Sequence, residues 1–141
     1  MTQEKIIQWF LERRDQLPQM NLGLIGGLGA GKTHFVRNLL AALAPGFEAQ
    51  VSSPSFNLCN RYQDGEFEIR HFDLYRLESI EELEEIEFYE SLDEEAFTLV
   101  EWADQFDGII EDLNMILEIK VDLEGERDYL ITKLDEMVFS Y

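Results

Sequence analysis

Apolar positions change their period several times along the chain, and each change marks an element. Residues 4–14 carry Ile6, Ile7, Phe10 and Leu11 along one side, the stripe of an amphipathic helix. A short apolar run, 22–25, enters a glycine cluster (Gly26, Gly27, Gly29 and Gly31), after which Phe35, Leu39, Leu40 and Leu43 follow helical spacing. The order is strand, glycine loop, helix. Pro45 and Gly46 close that helix, and Val51 begins an extended region in which 56–62 and 67–72 flank Gln63-Asp64-Gly65-Glu66. That turn-forming group predicts an antiparallel hairpin. Over 78–95 ten of eighteen residues are acidic and none is basic, yet Ile80, Leu83, Ile86 and Tyr89 keep one apolar stripe. The pattern predicts a single acidic surface helix. Phe97-Thr98-Leu99-Val100 reads as a buried strand ending in Glu101-Trp102, and 115–121 and 129–134 alternate as two strands around Glu124-Gly125-Glu126.

The sum is a mixed α/β pattern, and 141 residues without a repeat or a Gly/Ser linker predict one domain over 1–141. With 45% hydrophobic and 12% aromatic residues the chain can fill a core, which excludes global disorder. Eleven basic against 30 acidic residues give a net charge of -19, a surface that repels phosphate backbones unless a local basic patch overrides it, so free-standing nucleic-acid binding is disfavoured. No apolar stretch approaches the ~20 residues a bilayer span needs, and the first residues read as an amphipathic helix rather than a signal peptide. The expectation is a cytoplasmic protein that makes no membrane contact. Cys59, His34 and His71 are too few for an internal disulfide or a His/Cys zinc site.

The chemistry therefore lies in the glycine cluster. Gly26-Gly27-Leu28-Gly29-Ala30-Gly31-Lys32-Thr33 satisfies the phosphate-binding loop G-x-x-x-x-G-K-[ST] with a strand before it and a helix after it. Glycines let the backbone wrap so that N–H groups point inward, and the helix N-terminus adds its positive dipole end. Lys32 supplies a point charge for β and γ phosphates, and Thr33 a hydroxyl for Mg²⁺. The bland alternative, a tight glycine turn beside an exposed lysine, does not account for the flanking strand and helix. A G-x-G-x-x-G dinucleotide spacing is absent.

Such a loop needs a carboxylate near the metal and a group that orients the attacking nucleophile. Asp73 and Glu101 both follow apolar runs, where a buried strand delivers a side chain to the C-terminal edge of the sheet. Either alone reads equally as an ordinary strand-end acid; the two together, in a chain with a phosphate loop, favour function. For Ser52-Ser53-Pro54-Ser55-Phe56 the residues by themselves favour a turn before a strand over a loop sensing a γ phosphate. Arg61, Arg70 and Arg76 are candidates for a partner contact or for stabilising transferred charge, although exposed structural arginines are commoner. His71 reads as a strand residue rather than a catalyst.

Four segments together are more specific than the loop. Leu28 to Thr33, then Val51-Ser52-Ser53-Pro54-Ser55-Phe56, then His71-Phe72-Asp73-Leu74-Tyr75-Arg76-Leu77, then Glu101-Trp102 follow one another in this order. In them the chain resembles the TsaE (YjeE) ATPases of bacterial tRNA threonylcarbamoyladenosine (t6A) synthesis, over most of its length. The resemblance implies a small P-loop NTPase-like domain, a mixed sheet flanked by helices with antiparallel hairpins, that binds ATP or ADP with Mg²⁺ and works with the TsaB and TsaD proteins. It implies nucleotide contacts from Gly29, Ala30, Gly31, Lys32, Thr33, His34, Ser55 and Trp102, metal contacts from Thr33 and Glu101, and catalytic roles for Lys32, Asp73 and Glu101. Ser53 to Phe56 would be the switch-like loop. Three positions depart from the family: Gly27 replaces the usual acid, Ser55 the usual threonine, and Ala103-Asp104 the usual proline and glutamate.

The leading expectation is an ATPase whose turnover resets a protein complex. A small-molecule kinase is disfavoured because four lysines make a poor lid over two phosphorylated substrates. The guanine-reading Asn-Lys-x-Asp is absent. A nucleotide-gated scaffold that binds without hydrolysing uses the same loop and stays open. For the surface that meets TsaB and TsaD, the 52–56 loop with the 70–76 segment is expected in preference to the acidic 78–95 stretch.

Overall fold

The first apolar stripe forms helix α1 (Gln3–Glu12), capped by the Thr2 side chain, which accepts a hydrogen bond from the Lys5 N–H at 3.3 Å. It buries Ile6 and Phe10 and then tightens into a 3-10 segment, Arg14–Gln19, that carries the buried Leu17. Strand β1 (Asn21–Ile25) leads through the glycine loop into α2 (Lys32–Leu43). There follow β2 (Cys59–Asp64), β3 (Phe67–Asp73), the short helices α3 (Glu81–Glu85) and α4 (Phe88–Leu92), β4 (Ala96–Glu101), a 3-10 turn at Ile110–Asp112, β5 (Met115–Val121) and β6 (Arg127–Lys133). This computed structural model describes residues 1–27, 29–45, 59–64, 67–85, 87–106 and 108–133. Leu28, Gly46, residues 51–56 with Ser55 and the switch-like loop expected there, Gly65 and Glu66 of the expected turn, Ile86 and Leu134 lie outside the described residues.

The strands make one mixed sheet in the order β2-β3-β4-β1-β5-β6. β3, β4, β1 and β5 run parallel, and β2 and β6 close the two edges as antiparallel hairpin partners. Strands β1 and β4 are interior and covered on both faces, which is why they read as continuous apolar runs rather than alternating ones. Leu22, Leu24, Phe97 and Leu99 pack with Phe10, Phe35 and Leu39 on the face carrying α1 and α2. On the opposite face Val100, Phe72 and Ile116 pack with Leu83, Phe88 and Ile109.

The 78–95 stretch departs from the expected single helix. It forms two five-residue helices separated at Glu87, which adopts a left-handed φ of 55°. Leu83 and Phe88 are both fully buried in the second core, whereas Ile80 is 42% exposed. On one straight helix residues five apart point about 140° away from each other, so both cannot face one sheet. The break turns Phe88 inward, and it also interrupts a run of like charges that repel at i,i+4 spacing.

Strand β1 has no room on its second face beside Gly23: a Cβ there would come within 2.7 Å of Ile116 and Leu113 and 2.8 Å of Ala103. Gly23→Val should cost about 1–3 kcal/mol of stability through overpacking. Chemical denaturation of the variant beside the wild type measures it.

Candidate functional site

Side chains alternate along a strand, so Ile69, His71 and Asp73 of β3 share a face, as do Phe97, Leu99 and Glu101 of β4. Ile69, Phe97 and Leu99 all lie in the core under α1 and α2, which places His71, Asp73 and Glu101 on that same side. The parallel register sets Asp73 directly beside Glu101, and Glu101 beside Leu24 of β1, one residue before the strand's end. Two carboxylates and the glycine loop therefore meet at one end of the sheet.

The loop turns through Gly29 (φ 81°) and Gly31 (φ 99°), conformations that favour glycine. Gly31, which has no side chain to offer a capping bond, is the N-cap of α2. In the first turn Thr33 directs its hydroxyl at Glu101, within 2.9 Å of both Oε1 and Oε2. Glu101 is 3% exposed. Its Oε2 also accepts from His71 Nε2 at 2.5 Å, while His71 Nδ1 has no hydrogen-bond partner among the described residues. His71 is fully buried, and its Nε2 is the ring nitrogen that faces the carboxylate. The residue expected to be an ordinary strand histidine thus holds the orientation of Glu101.

Lys32 is folded back on its own loop. Its ammonium donates to the carbonyls of Gly26 at 2.7 Å and Gly27 at 3.1 Å, and lies 3.9 Å from the centre of the Trp102 ring. Burial pushes its pKa below the usual lysine value, and attraction to Glu101, Asp104 and Asp73 opposes that shift. Trp102 adopts a left-handed φ of 59°, a strained position for a bulky side chain, and its ring meets Tyr75 at a centroid distance of 4.8 Å. Asp73 accepts from the Tyr75 backbone N–H at 3.0 Å, which turns the chain after β3 and presents Tyr75 and Arg76 to the opening.

These groups line a cleft of about 350 Å³: Gly29, Gly31, Lys32, Thr33, His34, Asp73, Tyr75, Arg76, Glu101 and Trp102. Of the expected site residues, Ala30 is buried beneath the loop and lines a second hollow beside Glu118 to Val121, and Ser55 lies outside the described residues. Of the three arginines, Arg70 is withdrawn from any surface role. It is 3% exposed and ion-paired with Glu94 at 2.6 Å and Glu68 at 2.8 Å, partners that raise its pKa further. Arg76 is exposed at the cleft. Arg127 escaped the sequence reading altogether: its Nε donates to the Ala30 carbonyl at 2.8 Å, across a sequence gap that no local pattern signals.

The family model for "Threonylcarbamoyl adenosine biosynthesis protein TsaE" matches residues 2–129. The chain belongs to the TsaE family. A tRNA threonylcarbamoyladenosine biosynthesis protein TsaE of Rickettsia felis is 42% identical over 101 residues, 72% of this chain and 56% of that protein. The Haemophilus influenzae protein of the same name is 35% identical over 96 residues, 68% of this chain and 60% of the relative. The chain thus spans little more than half the length of these two relatives. The Rickettsia typhi TsaE is 31% identical over 118 residues, 84% of this chain and 80% of the relative. A crystal structure of YdiB from Bacillus subtilus has the same fold, with a TM-score of 0.58 over 98% of this chain and 84% of that one, at 24% identity. The TsaE match includes the glycine loop, the His71 to Leu77 segment and Glu101-Trp102, the segments that build the cleft.

Removing the Glu101 carboxylate strands the buried His71 and the Thr33 hydroxyl. Glu101→Ala should lower stability by about 1–3 kcal/mol, the cost of leaving buried polar groups without partners, whereas Glu101→Gln, which keeps an amide in place, should lose less. Denaturant titration of the two variants side by side checks the order.

Proposed function

We propose that this TsaE-family chain binds ATP with Mg²⁺ in the cleft between the N-terminus of α2 and the ends of β3 and β4. Hydrolysis there would serve tRNA threonylcarbamoyladenosine formation through the TsaB and TsaD proteins. The observation that carries the reading is the Thr33 hydroxyl set against both oxygens of Glu101 at the mouth of the glycine loop, with Asp73 in register beside it. This puts hydroxyl and carboxylate oxygens next to a helix N-terminus, a set of hard donors that suits Mg²⁺. Among the described residues no cluster of three or more His, Cys, Asp or Glu could hold a metal unaided. Thr33 and Glu101 would therefore share the ion with phosphate oxygens, as Mg²⁺ commonly requires. Bound there, the ion would neutralise charge that develops on the phosphates.

The chain's own residues supply the rest. The first-turn N–H groups of α2 would receive phosphate oxygens. Lys32 would exchange the carbonyls of Gly26 and Gly27 for the phosphates, leaving one set of acceptors for another. Asp73 would orient the attacking water, and His71 would hold Glu101 against rotation. Tyr75 and Trp102 would screen the cleft from solvent on the side opposite the loop. Among the described residues no helix is long and apolar enough to cross a membrane.

The net charge of -19 argues that the tRNA is reached through protein contacts rather than directly. Tyr75 is 47% exposed, and with Arg76 it forms the rim through which a partner would sense the nucleotide. Arg70 cannot share that task.

Calorimetry with ATP and Mg²⁺ tests the site. Lys32→Ala should weaken binding by about 10- to 100-fold, the loss of charge-assisted hydrogen bonds to phosphate. Unchanged affinity and unchanged turnover would remove Lys32 from the site. Glu101→Gln should shift the Mg²⁺ dependence of turnover to higher concentration, and Asp73→Asn should keep binding while slowing turnover. Equal loss of binding in both variants would contradict that division.

Partner action has its own test. A non-hydrolysable ATP analogue should strengthen capture by a TsaB and TsaD mixture, and Arg76→Glu should weaken it. Capture indifferent to nucleotide would overturn the proposal, and binding without turnover even in the presence of partners would favour a nucleotide-gated scaffold.

A further inference from the structure

Arg127 opens β6, and the turn that delivers it is tightly built. Asp122 Oδ1 accepts from the backbone N–H groups of Glu124 and Glu126, each at 2.9 Å, the Asp122 N–H donates to the Glu126 carbonyl at 2.9 Å, and Gly125 supplies the positive φ of 83°. Beyond the turn Arg127 pairs with Val121 at the end of β5. Its side chain crosses to the glycine loop, where Nε donates to the Ala30 carbonyl at 2.8 Å. The guanidinium also occupies the space above Gly31: a Cβ built there would meet Arg127 Nε at 3.1 Å and Cζ at 3.7 Å. In a chain with 30 acidic residues, this arginine directs its hydrogen bond to a backbone carbonyl.

The consequence lies in the peptide unit. No peptide bond of the described residues is cis, so the N–H of Gly31 points opposite to the carbonyl of Ala30 across the same plane. Gly31 sits at φ 99°, and glycine tolerates either sign of φ, so the Ala30–Gly31 peptide has little steric resistance to turning over. A flipped peptide would aim a carbonyl oxygen where an anion needs a donor. The hydrogen bond from Arg127 fixes the orientation in which the oxygen faces the hairpin and the N–H faces the other way.

We propose that Arg127 is a positioning residue of the phosphate loop: by holding the Ala30 carbonyl outward it presents the Gly31 N–H to the bound phosphate, so that the β5–β6 hairpin preorganises the anion site. The role belongs to the Nε–H donor and not to the positive charge. The effect on nucleotide rests on the ATP reading above; the effect on the peptide itself does not.

Two shorter side chains, alike in size and both uncharged, separate donor from charge. Glutamine places its amide nitrogen the same number of bonds from the backbone as arginine Nε and keeps a donor without charge; methionine matches the length with no donor. In calorimetry with ADP and Mg²⁺, Arg127→Met should weaken binding about tenfold, the effect of one lost hydrogen bond, and Arg127→Gln should stay within about threefold of wild type. Without ligand, Arg127→Gln should keep the wild-type melting temperature, and Arg127→Met should lower it by no more than one partly buried hydrogen bond supplies. In nucleotide-free protein the Gly31 amide resonance should be sharp in wild type and in Arg127→Gln and broadened by exchange in Arg127→Met. Equal losses of affinity in both variants would assign the effect to charge, and wild-type behaviour of Arg127→Met in both measurements would show that the loop holds its shape unaided; either result overturns the proposal. Failure of the wild-type protein to bind ADP would overturn the ATP reading, and the Gly31 resonance in the three proteins would then decide the positioning role alone.

Discussion

A carboxylate removed from water must find donors, and the Glu101 side chain, 3% exposed at the end of β4, finds them in two different elements. Thr33 reaches it from the first turn of α2 and His71 from β3. Those bonds tie the first turn of α2 and strand β3 to the end of β4, where the backbone register sets Asp73 beside Glu101. Thr33 and the carboxylate that it helps to satisfy also line the cleft, with His71 buried behind them. Stability and the proposed chemistry are built from one set of contacts, because the groups that make a buried acid tolerable also aim it.

The glycine loop is stabilised in a comparable way. Lys32 occupies the carbonyls of Gly26 and Gly27 and lies over Trp102, so a buried ammonium is satisfied by backbone oxygens and an aromatic face. On the other side of the loop Arg127 fixes the Ala30 carbonyl. The loop is thus braced at both ends of its curve, by its own lysine and by a hairpin remote in sequence. A glycine-rich segment has high conformational freedom, and such bracing offsets the entropy that would otherwise oppose ordering it around a ligand.

The strongly acidic composition is distributed unevenly. Arg70 pairs with Glu68 and Glu94 and ties β3 to the turn before β4, while the two short helices α3 and α4 expose most of their carboxylates to water. Lys32, His34 and Arg76 gather at the cleft. The cleft thus mixes both signs, Lys32 and Arg76 beside Asp73 and Glu101, while the surface at large, at a net charge of -19, repels polyanions.

From the sequence alone the strand, glycine loop and helix were legible, because each imposes a short-range requirement: apolar continuity, freedom of φ, and 3.6-residue periodicity. Asp73 and Glu101 were legible as strand-end acids for the same reason, and the order of the four motif segments was enough to identify the family. What the local pattern misjudged was the 78–95 stretch, where composition suggests one helix but Leu83 and Phe88 must both reach the same core and so force a break at Glu87. The roles of His71, Arg70 and Arg127 were decided only by tertiary structure. Each depends on a partner 24 or more residues away, Glu101, Glu94 and Ala30 respectively. Sequence periodicity records which face of an element is buried, whereas the partner of a buried polar group is set by strand order and register, which only the assembled sheet specifies.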